Sequence, residues 1–271
     1  MPIKRTTTDL LETVRRTAPL IHNITNLVVM NTTANILLAM GASPVMAHSR
    51  HEVAEMAAMA KAVVINIGTL SDPWVEAMLL AARAANQHGL PVILDPVGAG
   101  ATAYRSRSVR NIIDDTAVSV IRGNASEVLS LADAAVKTRG VDSSLGLSDA
   151  VVDAAGAIAQ HYGCIVAVSG ERDLITDGCR MLRVANGVPL MTRVTGLGCG
   201  LSAVVGAFCA VAGEDRLSAV AAAFGFYGMC GELALRVSDR PGSFLVAFID
   251  ALYTAGREEI DAHLKVDETS C

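Results

Sequence analysis

Four short apolar runs in this 271-residue chain each close on a polar residue with a glycine beside it or a few positions on. They are Ala62-Val-Val-Ile-Asn66 with Gly68, Leu90-Pro-Val-Ile-Leu-Asp95 with Gly98, Ala117-Val-Ser-Val-Ile-Arg122 with Gly123, and Cys164-Ile-Val-Ala-Val-Ser169 with Gly170. Runs of Val and Ile with little polar alternation make strands that are buried on both faces. Longer amphipathic segments lie between them. One of these opens at Asp72-Pro73 and runs to about His88, with proline at the first helical position, and another opens at Asn124-Ala-Ser-Glu127. Strands alternating with helices predict an α/β fold with a mostly parallel central sheet and helices on both faces. Ligands of such sheets sit at the carboxyl ends of the strands. The topology therefore carries Asn66, Asp95, Arg122 and Ser169 to one edge.

A further helix is expected from about Leu27 to Met40, and the stretch 199–256 reads as mostly helical. The polar stretch 138–149 reads as a loop. Without an internal repeat or a long linker, the chain is expected to form a single domain, 1–271. Hydrophobic residues make up 52% and charged residues 18%, which excludes disorder. A net charge of −5 with no basic run argues against a nucleic-acid surface. The four lysines, Lys4, Lys61, Lys137 and Lys265, fit no P-loop pattern. Phosphate chemistry would fall to arginine, a metal and helix N-termini. The six cysteines form no CxxC pair, and the N-terminus MPIKRTTTDL shows no signal peptide, so a reducing cytoplasm is expected.

The segment Val194-Thr-Gly-Leu-Gly-Cys-Gly200 runs into an uncharged, alanine-rich stretch. Its small residues predict a buried helix rather than a membrane span. A glycine turn at a helix start leaves backbone N–H groups free for an anion and favours a thiolate at Cys199. Asp95 reads either as a strand-ending Asp-Pro turn or as a carboxylate near a Mg²⁺-phosphate. Glu127, three residues after Asn124, reads as a capping box, a second metal-side carboxylate, or both. Arg122 at the end of an apolar strand points to an anion. Asn23, Thr25 and Asn26 in HNITN read as helix caps or as the rim of a small-molecule site, and His22 as a structural histidine. Met46 is core by composition.

Taken together, HNITNLVVMNTTAN, GASPVM, INIGTL, ILDPVGAGAT, RGNASE, VSGERDLITDG, VTGLGCGLSAVVGAF and PGSF resemble the hydroxyethylthiazole kinases of thiamine salvage, from about residue 10 to 255. The resemblance implies a three-layer ribokinase-like fold and a homotrimer. It also implies Mg²⁺-dependent transfer of the ATP γ-phosphate to the primary alcohol of a hydroxyethylthiazole. On the matching motifs, Met46, Asn26 and Gly196 would contact the thiazole, Arg122 and Ser169 the ATP, and Asp95 and Glu127 the Mg²⁺-phosphate region. Cys199 falls where most ribokinase-like enzymes carry an aspartate base. Leu197 replaces a frequent threonine, and Ser169 another. The alternatives are a kinase for a different alcohol, such as hydroxymethylpyrimidine or pyridoxal, and a cysteine hydrolase pairing Cys199 with His22.

Overall fold

Six strands run parallel and carry the functional edge: β1 (Leu20–Ile24), β2 (Ser43–Val45), β3 (Ala62–Asn66), β4 (Val92–Asp95), β5 (Val120–Asn124) and β6 (Ile165–Ser169). Three more, β7 (Asp173–Thr176), β8 (Arg180–Val184) and β9 (Val266–Ser270), continue the sheet antiparallel. The order is β2-β1-β3-β4-β5-β6-β7-β8-β9. The structure is a computed structural model that describes residues 2–135 and 147–270.

Alternation along the strands divides the core in two. Val64, Ile93 and Val120 face a layer made by α1 (Pro2–Thr17), α2 (Met30–Met40), α8 (Leu197–Cys209), α9 (Arg216–Val237) and α10 (Pro241–Thr254). Val63, Ile65, Leu94 and Ile121 face the other layer, made by α3 (Val53–Met59), α4 (Asp72–Gln87), α5 (Ala103–Asp115), α6 (Ala125–Ala135) and α7 (Leu147–Tyr162). A short α11 (Arg257–His263) packs beside α1 and α9. The expected three-layer arrangement with a mostly parallel sheet is present. Burial of nearly every side chain on β3 to β6 explains why the runs lack polar alternation.

Local boundaries differ in instructive ways. The helix expected from Leu27 starts at Met30, because residues 27–29 form a turn closed by Val29 N–H to the Asn26 carbonyl at 3.3 Å. Most of the expected loop 138–149 lies outside the described residues. Its end is helical, since α7 begins at Leu147. The strands β7, β8 and β9 are short or partly polar and carry no strong apolar signal.

α8 is the helix that lies against the centre of the sheet. All of its residues from Gly200 to Cys209 are buried. Gly206 allows the close approach: a Cβ there would sit 2.8 Å from Val64 Cγ2 and 3.5 Å from Ile21 Cγ2. On the far side of α8, the buried Tyr227 hydroxyl donates to the Leu197 carbonyl at 2.8 Å. Among the described residues α9 alone is long and apolar enough to cross a membrane, and 89% of its apolar window is buried in the protein. The uncharged stretch after the glycine turn likewise forms a core helix, α8, as expected.

Gly206→Val should overpack the contact between α8 and the sheet and cost about 1–3 kcal/mol. Thermal unfolding is expected to show a Tm several degrees lower. An unchanged Tm would mean that α8 does not need the close approach.

Candidate active site

The parallel strands β3, β4, β5 and β6 end side by side, and the N-terminus of α8 lies across them. Asp95 ends β4 and is only 1% exposed. Its Oδ2 accepts from Asn66 Nδ2 at 2.7 Å and from Ser202 Oγ at 2.8 Å, and lies 3.9 Å from Arg122 Nη1. All three contacts fall on Oδ2, so Oδ1 takes no part in them. Burial pushes the carboxyl up to about 6, against the pull of Arg122, Ser202 and Asn66. Ser202 sits three residues after Cys199 on α8, a spacing that puts both on one helix face.

Arg122 on β5 donates from Nη1 to the Gly198 carbonyl at 3.1 Å and from Nη2 to Ser169 Oγ at 2.8 Å. Its Nε is buried and has no protein partner. A buried guanidinium with an unpartnered N–H is a poor structural element and a good anion receptor. Asp173, at the start of β7, accepts from the Gly170 N–H at 2.9 Å and is also pushed up to about 6 by burial.

Glu127 forms the expected capping box. Its Oε2 accepts from the Asn124 N–H at 2.8 Å, and its own N–H donates to Asn124 Oδ1 at 3.0 Å. Its Oε1 also accepts from the Gly98 N–H at 2.9 Å, which ties the loop after β4 to α6. From α5, Arg105 holds the same loop and the one after β3, donating to the Val97, Ile67 and Gly68 carbonyls at 2.7–2.8 Å. Sequence reasoning singled out neither Arg105 nor Ser202. Their only signals were helical spacing and an arginine beside the glycine loop.

The glycine turn starts α8 as expected. Gly196 is the N-cap, with a left-handed φ of 88°. A Cβ there would meet Val29 Cγ1 at 3.0 Å. The first helical hydrogen bond runs from the Gly200 N–H to the Gly196 carbonyl at 2.8 Å. The N–H groups of Leu197, Gly198 and Cys199 therefore precede the ladder and are open to an anion.

Cys199 is half-buried, and Asn26 Nδ2 donates to its Sγ at 3.4 Å. One sequence expectation is corrected here. The helix start does not give a ready thiolate, because burial and the charge of Asp95 push the thiol up, outweighing the pull of Asn66, Asn26 and Arg122. Asn26 sits within the turn between β1 and α2, and its Oδ1 accepts from the Val28 N–H at 3.1 Å.

Asn26, Gly196, Cys199, Asp95, Arg122, Ser169 and Glu127 thus gather at one edge. Met46 stands on its flank, one residue beyond the outer strand β2, and it is half-buried rather than core. His22 secures that flank through a 2.8 Å hydrogen bond between Nε2 and the Ala47 carbonyl. Burial lowers the His22 pKa, as suits a neutral structural histidine. No contact joins His22 to Cys199, which removes the basis for a Cys-His hydrolase.

A cavity of about 640 Å³ is lined by Arg122, Ser169 and Gly198 and by the apolar side chains of Val188, Met191 and Phe224. That size and mixed lining suit a nucleotide-sized ligand.

Residues 11–258 match the model of the hydroxyethylthiazole kinase family. The chain belongs to that family. It is 51% identical to a hydroxyethylthiazole kinase of Desulfotalea psychrophila over 268 residues, covering 99% of this chain and 97% of the relative. It is 50% identical to one of Oleidesulfovibrio alaskensis, covering 95% and 96%. The solved hydroxyethylthiazole kinase of Pyrococcus horikoshii superposes with a TM-score of 0.90 at 41% identity, covering 98% of this chain and all of that one. A pyridoxal kinase of Staphylococcus aureus, at 14% identity and a TM-score of 0.63 over 93% and 99% of the two chains, shares the ribokinase-like fold.

The Asp95 carboxyl, at about 6, lies above its ordinary 3.8. The folded state thus holds this proton more tightly than the unfolded chain does. The cost of the buried charge is complete above pH 6 and is relieved as the pH falls through 6. Asp95→Asn should therefore gain in Tm relative to the parent protein at pH 7.5, and the gap should shrink at pH 5. An equal gap at both values would show that Asp95 is not raised.

Proposed function

We propose that this protein transfers the γ-phosphate of ATP to the primary alcohol of 4-methyl-5-(2-hydroxyethyl)thiazole. The observation that carries this reading is the buried, unpartnered Nε of Arg122, which lies beside the open N–H groups that start α8. ATP occupies the 640 Å³ cavity, with its triphosphate at Arg122 and Ser169. The alcohol reaches Cys199 from the side of Asn26, Gly196 and Met46.

Among the described residues no group of three His, Cys, Asp or Glu side chains could hold a metal by itself. Asp95 and Glu127 would hold Mg²⁺ together with the triphosphate. The buried carboxylate of Asp95, with Oδ1 outside its three contacts, suits that part. When bound, the ion supplies neutralisation of phosphate charge.

Phosphoryl transfer of this kind depends on positioning and charge stabilisation more than on a strong base. The N–H groups of Leu197, Gly198 and Cys199 face the charge that spreads over the transferring group. The neutral Cys199 thiol orients the alcohol hydroxyl, whose proton passes late to an oxygen of the transferred phosphoryl group, once the new O–P bond makes it acidic. Ser169 keeps the hydroxyl that the more frequent threonine would provide. Free thiols at Cys164, Cys199, Cys209 and Cys230 agree with a reducing cytoplasm. Exposed Leu27 and Val28, next to Asn26, agree with subunit contacts of a homotrimer close to the site.

Coupled detection of ADP tests the reading. The thiazole alcohol should give Mg²⁺-dependent ADP, and hydroxymethylpyrimidine and pyridoxal should give far less. Silence with the thiazole alcohol and turnover of another alcohol would overturn it. Arg122→Ala should raise the KM for ATP roughly 10- to 100-fold, through loss of charged hydrogen bonds, with a smaller effect on the KM for the thiazole. Cys199→Ala should lower kcat on the order of 100-fold by loss of orientation. Its ATP affinity, measured by titration, should stay near that of the parent protein. An unchanged kcat would remove Cys199 from the mechanism.

A further inference from the structure

Asn66 ends β3 and is 1% exposed. Its Nδ2 donates to Asp95 Oδ2 at 2.7 Å, while its Oδ1 accepts from the Gly68 N–H at 3.0 Å and from Asn26 Nδ2 at 2.9 Å. Asn26 Nδ2 in turn donates to Cys199 Sγ at 3.4 Å, and Asn26 Oδ1 accepts from the Val28 N–H. Two amides thus connect the carboxylate on the phosphate side to the sulfur on the alcohol side.

The direction of this chain is locked at both ends. Flipping the Asn66 amide would turn its oxygen onto the Asp95 carboxylate. It would also turn its NH2 group onto the Gly68 N–H and the Asn26 NH2. Both amides are therefore held in one orientation, and the sulfur always receives an N–H. With that side of Sγ occupied, what the sulfur offers the alcohol is directed elsewhere.

We propose that Asn66 is a positioning residue of the transfer reaction, acting through Asn26 to fix the hydrogen-bonding direction at Cys199. This rests on the kinase reading above. Asn66 touches neither substrate in that reading, so its effect falls on alignment and not on nucleotide affinity. The packing of Gly68 supports the same chain independently. A Cβ there would meet Asn26 Cβ, Nδ2 and Cγ at 2.8–2.9 Å, so the strand end leaves no room for Asn26 to turn away.

The test uses Asn66→Leu and, in case the buried amide is needed for folding, Gly68→Ala, which keeps the amide and displaces Asn26. Each should lower kcat by at least about tenfold, the scale of a misaligned reactant. The Kd for a non-hydrolysable ATP analogue should stay within about twofold. In a double-mutant cycle, Asn66→Leu and Asn26→Leu should be strongly non-additive in kcat, as expected for residues acting in one chain. An unchanged kcat, additive losses, or parallel loss of analogue affinity would each overturn the proposal.

A readout without substrate separates this proposal from the kinase reading. Alkylation of Cys199 by iodoacetamide, followed by mass spectrometry of the Cys199 peptide, should slow several-fold in both variants relative to the parent protein, because the sulfur loses its donor. If the parent protein phosphorylates no alcohol, the kinase reading fails, and the alkylation rates still decide the positioning role. Unchanged or faster alkylation would contradict it.

Discussion

Asp95 is a carboxylate buried at the centre of the sheet edge, and its partners come from three elements: Asn66 from β3, Arg122 from β5 and Ser202 from α8. Burial of a charge is tolerated only where such partners are supplied. The strands must therefore end in register, and α8 must lie close enough to offer Ser202. The glycine at position 206 permits that approach. The same placement brings the N-terminus of α8 over the strand ends, beside Arg122. Anion site, thiol and carboxylate are in this sense consequences of one packing decision.

The electrostatic result differs from a simple helix-dipole argument. The start of α8 favours negative charge, yet Cys199 stands next to Asp95 in a partly dry site, and the carboxylate takes the charge first. A protonated thiol beside an ionised carboxylate suits a reaction whose barrier lies in phosphate charge and alignment. It suits a covalent hydrolase poorly, since that chemistry needs the thiolate.

Much of this was legible in the residues. Apolar runs ending in polar groups gave away the parallel sheet and its functional edge, because burial on both faces leaves few other residue choices. Arg122 and Asp95 were visible for the same reason, as polar groups in apolar surroundings, and Cys199 through its place in a glycine turn at a helix start. Glu127 was visible as a capping box, which it is. Other features stayed hidden because they depend on distances between segments far apart in the chain. Asn66 looked like a strand end until Asn26 and Asp95 were placed on either side of it. Ser202 had only its helical spacing. The antiparallel strands β7 to β9 were missed because β7 is only four residues long with polar residues at both ends, and β8 and β9 carry mixed residues at the sheet margin. The raised thiol of Cys199 could not be read without knowing where Asp95 lies.

The central claim is that the triphosphate of ATP binds at Arg122 and the open N–H groups starting α8. Hydrogen exchange of the protein, with and without a non-hydrolysable ATP analogue and Mg²⁺, tests it most directly. The expected result is slowed exchange at the amides of Leu197, Gly198 and Cys199, lost again in Arg122→Ala. Protection elsewhere on the molecule with no change at this turn would contradict it.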